Sequence, residues 1–144
     1  MGKIFAPAYA NLFMAVIEQD FLLTRTTILL FYKRYLDDIF MLWSDGLPSL
    51  DEFISAFNGF CPSIKFKQSI DPSSVDFLDV TVFKHTPLAP QTLLCTKVHF
   101  KVTNTLQLLH KHSFYPKHTF AGIVRSQIYR YYRLSSSIDD FHST

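Results

Sequence analysis

Asp37 and Asp38 stand side by side between two short apolar runs, residues 28–35 and 39–43. Leu36-Asp37-Asp38 reads as the turn of a hairpin, because Asp bonds its own backbone in turns. Two carboxylates on such a mount are hard oxygen donors. They suit Mg²⁺, which takes oxygen ligands near ~2.1 Å and keeps substrate phosphates as partners. A pair of such ions can activate a hydroxyl and stabilise a leaving pyrophosphate. Adjacent carboxylates repel one another unless a cation lies between them. Asp-Asp is equally at home in a turn with no metal, so the pair alone leaves both readings open.

Charge points to a second chemistry. The net charge is only +2, but residues 1–79 hold ten acids against six Lys/Arg, and residues 80–138 hold no acid and eight Lys/Arg. A basic half of this kind suits a phosphate backbone, and it is also what a solvated basic face looks like. Hydrophobic residues make up 48% of the chain and charged residues 18%, which supports a packed core and argues against wholesale disorder. Cys61 and Cys95 lie far apart with no CxxC, so neither a metal site nor a disulfide framework is expected. No run reaches the ~18 apolar residues of a membrane span.

Several elements must position these groups. Pro7 suits the first turn of a helix, and Tyr9, Leu12, Phe13, Val16 and Ile17 recur at helical spacing, predicting a helix over about 7–20 with that stripe on a core. Ser49-Leu50-Asp51-Glu52 has the form of a capping box, followed by a stripe of Leu50, Phe53, Ile54 and Phe57 and a stop at Asn58-Gly59. Ile64 and Phe66 alternate with lysines as in a half-buried strand. Residues 75–83 read as one strand interrupted by Asp76 and Asp79, and 94–101 as a strand with one basic face. Residues 106–112 suggest a short helix broken by Phe114-Tyr115-Pro116. Thr119 then caps a second helix with its stripe at Phe120, Ile123, Val124, Ile128 and Tyr131, and Arg125, Arg130 and Arg133 opposite. Ser137, Asp139 and Asp140 resemble the first turn of a further helix.

Taken in order, these segments resemble a family. Tyr35-Leu36-Asp37-Asp38 looks like the Y-x-D-D signature of reverse transcriptases. Gly2 with Ala6-Pro7 resembles the motif before the long palm helix, and Val75-Asp76-Phe77-Leu78-Asp79-Val80 its Phe-Leu-Asp-Val strand. Residues 96–104 resemble its Thr-Lys-x-Tyr-x-Lys-Pro-Thr-Asp segment, with Val102 where that family usually has Pro. Residues 112–118 and Ser126-Gln127-x-x-Arg130-x-x-Arg133 resemble the region after the palm, described in animal retroelements as a helix-turn-helix, with Tyr115 where His is frequent. The likeness is to Penelope-like retroelements.

The resemblance implies an α+β fold: part of a polymerase palm over residues 1–105, an antiparallel sheet with packed helices, then a helix-turn-helix-like thumb segment over 106–144. It implies Asp37 and Asp38 as Mg²⁺ ligands, with Tyr35 beside the primer end. Gly2, Ala6 and Pro7 would line the template and nucleotide side. Lys97, Lys101, Arg125, Arg130 and Arg133 would face RNA template and DNA primer, although lysines on a strand and arginines on a helix also serve as ordinary solvated faces. The palm's first catalytic aspartate and the fingers precede Gly2 in that family, so these residues are expected not to polymerise alone. The alternatives are a basic nucleic-acid-binding module and a relic with no present function. Nuclear residence is implied by the resemblance alone.

Overall fold

The protein is described by a computed structural model, which covers residues 5–25, 29–88, 91–105, 108–110 and 112–143. It is an α+β fold with elements in the order α1 (Ala6–Leu23), β1 (Phe31–Tyr35), β2 (Asp38–Leu42), α2 (Leu47–Phe60), β3 (Ser74–Phe77), β4 (Val80–Leu88), β5 (Gln91–Val98), α3 (Lys117–Leu134) and α4 (Ile138–His142). The chain divides into two compact units, Met1–Ser69 and Ile70–Thr144. The described strands form two sheets, β1-β2 and β3-β4-β5, both antiparallel.

In the first unit, Phe21 of α1 meets Phe53 and Phe57 of α2, stacking on Phe57 at 4.4 Å and meeting Phe53 edge-on at 5.2 Å. Ile39, Met41 and Trp43 pack against this cluster, so both helices cover one face of the β1-β2 hairpin. Rings of this size supply most of a small core's burial, and truncating one to Ala costs about 3–5 kcal/mol.

The helix expected over 7–20 exists but buries the other face. Tyr9, Leu12, Phe13 and Val16 are exposed, whereas Glu18 and Phe21 are buried, with Ile17 packed at the cluster's margin. An apolar tally favours the outer row; the core chose the row that carries Phe21. The capping box does not form either. Gly46, at φ +83°, is the N-cap of α2, and Pro48 occupies its first turn with no side-chain cap. Residues 64–67 show the expected alternation of burial but belong to no strand. The Asn58 carboxamide takes the place of a partner strand: its Nδ2 donates to the Phe66 carbonyl at 3.1 Å, and its Oδ1 accepts from the Phe66 amide at 2.6 Å.

In the second unit, residues 75–83 are not one strand but a hairpin. Phe77 pairs with Val80, leaving Leu78 and Asp79 as the loop. Asp76, Thr81 and Lys97 form one row across β3, β4 and β5. Helices α3 and α4 pack along β5. At that edge Ser136 bonds both backbone groups of Thr96, its amide to the carbonyl at 2.8 Å and its hydroxyl to the amide at 2.7 Å, which covers part of an otherwise open strand edge. Of the short helix expected over 106–112, residues 108–110 are not helical, and 106, 107 and 111 lie outside the described residues. Helix α3 starts directly after Pro116, so Thr119 lies inside it and does not cap it. The expectation for α4 is met: the Ser137 hydroxyl accepts from the Asp140 amide at 3.0 Å.

Candidate nucleic-acid interface

The β1-β2 turn is tighter than Leu36-Asp37-Asp38. Tyr35 pairs with Asp38, so the loop is Leu36-Asp37 and Asp38 opens β2. Leu36 has φ +55°. A two-residue hairpin with positive φ only at its first loop residue follows the pattern that normally takes Gly there. The Leu78-Asp79 loop repeats it, with Leu78 at φ +57°. Aromatic-Leu-Asp thus builds the same turn twice.

Arg34 braces the first of these turns. Its Nη1 donates to the Leu36 carbonyl and to Asn11 Oδ1, each at 2.8 Å, and its Nε donates to Glu18 Oε1 at 2.7 Å. The Tyr32 hydroxyl donates to the same Glu18 oxygen at 2.7 Å. Burial, then the neighbouring Glu18 carboxylate, pushes the Tyr32 phenol well above its ordinary range. Glu18 is the one charged residue among the described buried ones, and the chain of bonds from it through Arg34 ties α1 to the turn. Sequence reasoning missed Glu18, Tyr32 and Arg34. The available signal was a carboxylate on the same helix face as Met14 and Phe21.

Tyr35, Asp37 and Asp38 are exposed, and neither carboxylate has a hydrogen-bond partner among the described residues. Pro7 and Asp37 line one groove of about 370 Å³, with Ala10, Met14, Leu36 and Phe66 as apolar walls. Ala6 is exposed at the start of α1, and Gly2 lies outside the described residues. Among the described residues, no group of three His, Cys, Asp or Glu is placed to hold a metal ion.

The remaining expected residues belong to the second unit. Lys97 is exposed on β5, its Nζ 5.7 Å from the Phe83 ring centroid. In the same face the Thr81 hydroxyl donates to Asp76, and His99 Nδ1 lies 3.1 Å from that carboxylate. Hydroxyl and imidazole both address one carboxylate oxygen, so this cluster does not have the relay order of a nucleophilic triad. Lys101 is exposed beyond β5. Arg125 and Arg133 are exposed on α3 with no ion-pair partner among the described residues. Arg130 is different: its guanidinium pairs with Asp79 in the β3-β4 turn, fastening α3 to the sheet. Helix α3 joins α4 through Ser135-Ser136-Ser137.

This last region is where the chain is similar to known proteins. The family model of the animal helix-turn-helix domain matches residues 107–144. No curated protein matches the chain, and no solved structure does. No helix among the described residues is long and apolar enough to cross a membrane.

Proposed function

We propose that this chain is the metal-binding part of a reverse-transcriptase palm of Penelope-like type over residues 1–105, followed by a helix-turn-helix-like segment over 106–144, and that it acts on nucleic acid. The observation that carries this reading is the pair of exposed carboxylates at a two-residue hairpin turn, with no hydrogen-bond partner among the described residues, beside a groove that Pro7 also lines. The helix-turn-helix match falls where that family has such a segment, which supports the second half.

Asp37 and Asp38 are hard oxygen donors and fit Mg²⁺ as two members of a larger ligand set. Bound Mg²⁺ would supply Lewis-acid stabilisation for nucleotidyl transfer. The chain's own contribution is positional. Arg34 holds the turn through the Leu36 carbonyl, and Tyr35 is the cross-strand partner of Asp38. Two carboxylates do not complete a two-metal site, so a third must come from another segment or chain, and these residues are not expected to extend a primer alone. The test is Mn²⁺ titration followed by NMR. Selective broadening of the 35–38 amides, abolished by Asp37→Asn with Asp38→Asn, is expected; uniform or absent broadening would sink the metal assignment.

The basic side supports a second, separable reading: sequence-independent phosphate binding by Lys97, Lys101, Arg125 and Arg133. The observation favouring it is that the two arginines are exposed while Arg130 is engaged with Asp79. Each phosphate neutralised contributes about 0.9 to the slope of log K against log salt. Arg125→Gln with Arg133→Gln should lower that slope by about 1.8 on a labelled duplex. An unchanged slope would remove both residues from the interface.

A further inference from the structure

The outer face of α1 carries a row with its own period. Tyr9, Leu12, Val16, Gln19 and Leu23 follow one another at intervals of three, four, three and four, and all are exposed. That is the seam spacing of a coiled coil, sustained for about 21 Å at the rise of an α-helix. The row lies diametrically opposite Met14, Glu18 and Phe21, so it is not the margin of the core. Tyr9 is 67% exposed, Leu12 68%, Val16 58% and Leu23 77%, too contiguous to be scattered surface apolars.

We infer that this face pairs with the same face of a second copy of the chain, the two α1 helices running antiparallel about a two-fold axis near Met14. The residues themselves select this occupant. An antiparallel seam places each residue opposite the one whose number completes a constant sum. About this axis Leu12 meets the partner copy's Val16, and Tyr9 meets its Gln19. The one amide in the row therefore faces the one hydroxyl, and each can hydrogen-bond the other. Ala8 and Ala15 flank the seam on one side, small enough for close backbone approach. Among the described residues of α1, the only charge flanking it is Asp20, since the row has no Lys or Arg beside it and Glu18 is turned inward. In the antiparallel register Asp20 lies near the N-terminal turn of the other α1, where the helix dipole favours an acid. A parallel register would instead set Gln19 beside Gln19 and Tyr9 beside Tyr9, so that the amide and the hydroxyl would not meet. This inference does not depend on the nucleic-acid reading.

Sedimentation equilibrium of the full 144-residue chain, from micromolar to submillimolar concentration, tests it. A monomer–dimer equilibrium is expected. Leu12→Glu and Val16→Lys should each weaken it by about a hundredfold, as stranding one charge in a helix seam does. Mixing the two variants should restore a heterodimer, because positions 12 and 16 face each other. Far-UV circular dichroism and Trp43 emission of each variant should match the parent, since both positions are outside the core. A chain monomeric throughout, or open-ended association that Leu12→Glu leaves unchanged, overturns the inference. So does rescue of Leu12→Glu by Leu12→Lys in place of Val16→Lys, which would mean a parallel pair.

Discussion

Removing Arg34 should do more damage than removing any exposed cation. Arg34→Met keeps most of the aliphatic stem and deletes the bonds to Glu18, Asn11 and Leu36. The Glu18 and Arg34 side chains are each 11% exposed, so solvent screening discounts their interaction little. Breaking a buried pair by taking one partner away costs about 3–5 kcal/mol, because the other charge is left unpaired. That is a large part of the ~5–15 kcal/mol total stability of an ordinary domain. Urea unfolding followed by Trp43 emission is the appropriate assay, since Trp43 packs on Phe53 at 5.0 Å and reports this core directly. The decisive comparison is Glu18→Leu, Tyr32→Phe and Arg34→Met together. It removes the stranded charge along with its partners, and replacing a buried pair by apolar groups is often neutral. Most of the stability should return. A loss below about 1 kcal/mol for Arg34→Met would put the pair in the surface class. A triple variant as unstable as the single would mean that the lost bonds to Asn11 and Leu36, not the stranded carboxylate, account for the cost.

Three further outcomes follow from local geometry. Leu36→Gly should be neutral to stabilising, by up to about 1 kcal/mol, because a left-handed Leu costs roughly 1–2 kcal/mol and part of the gain is lost to chain entropy; Leu36→Ala, which keeps the Cβ, should be destabilising in the same denaturation series. Asn58→Ala should cost about 2–3 kcal/mol by leaving the Phe66 amide and carbonyl unmatched, and faster hydrogen exchange at the Phe66 amide is the direct readout. Asp71 accepts from the Ser73 hydroxyl and from the Ser73 and Ser74 amides, which lower its carboxyl from the ordinary 3.8 to about 2. A depressed folded value means its contribution is present above the ordinary value and lost as pH falls toward 2. Carboxyl ¹³C titration should find this midpoint and Ser73→Ala should raise it; a midpoint near 4 in the parent would deny the turn.

What the sequence determined by itself is local. The hairpin centred on Leu36 and Asp37, the stripe of Leu50, Phe53 and Phe57 on α2, and the Ser137 cap each depend on residues within about a turn of one another. Spacing alone specifies such features. The Leu78-Asp79 turn was missed: Phe77-Leu78-Asp79 repeats the pattern of Tyr35-Leu36-Asp37, but the apolar character of 75–83 made it read as one strand. The side of α1 that is buried was not legible, because both sides are apolar and the choice rests on Phe21 finding Phe53 and Phe57 more than thirty positions away. Nor could spacing pair Glu18 with Arg34, separated by sixteen positions, or Arg130 with Asp79, separated by fifty-one. Residues 64–67 show the same limit from the other direction. Their alternation was real, but a strand needs a neighbour to bond, and in the folded chain a single asparagine side chain fills that place.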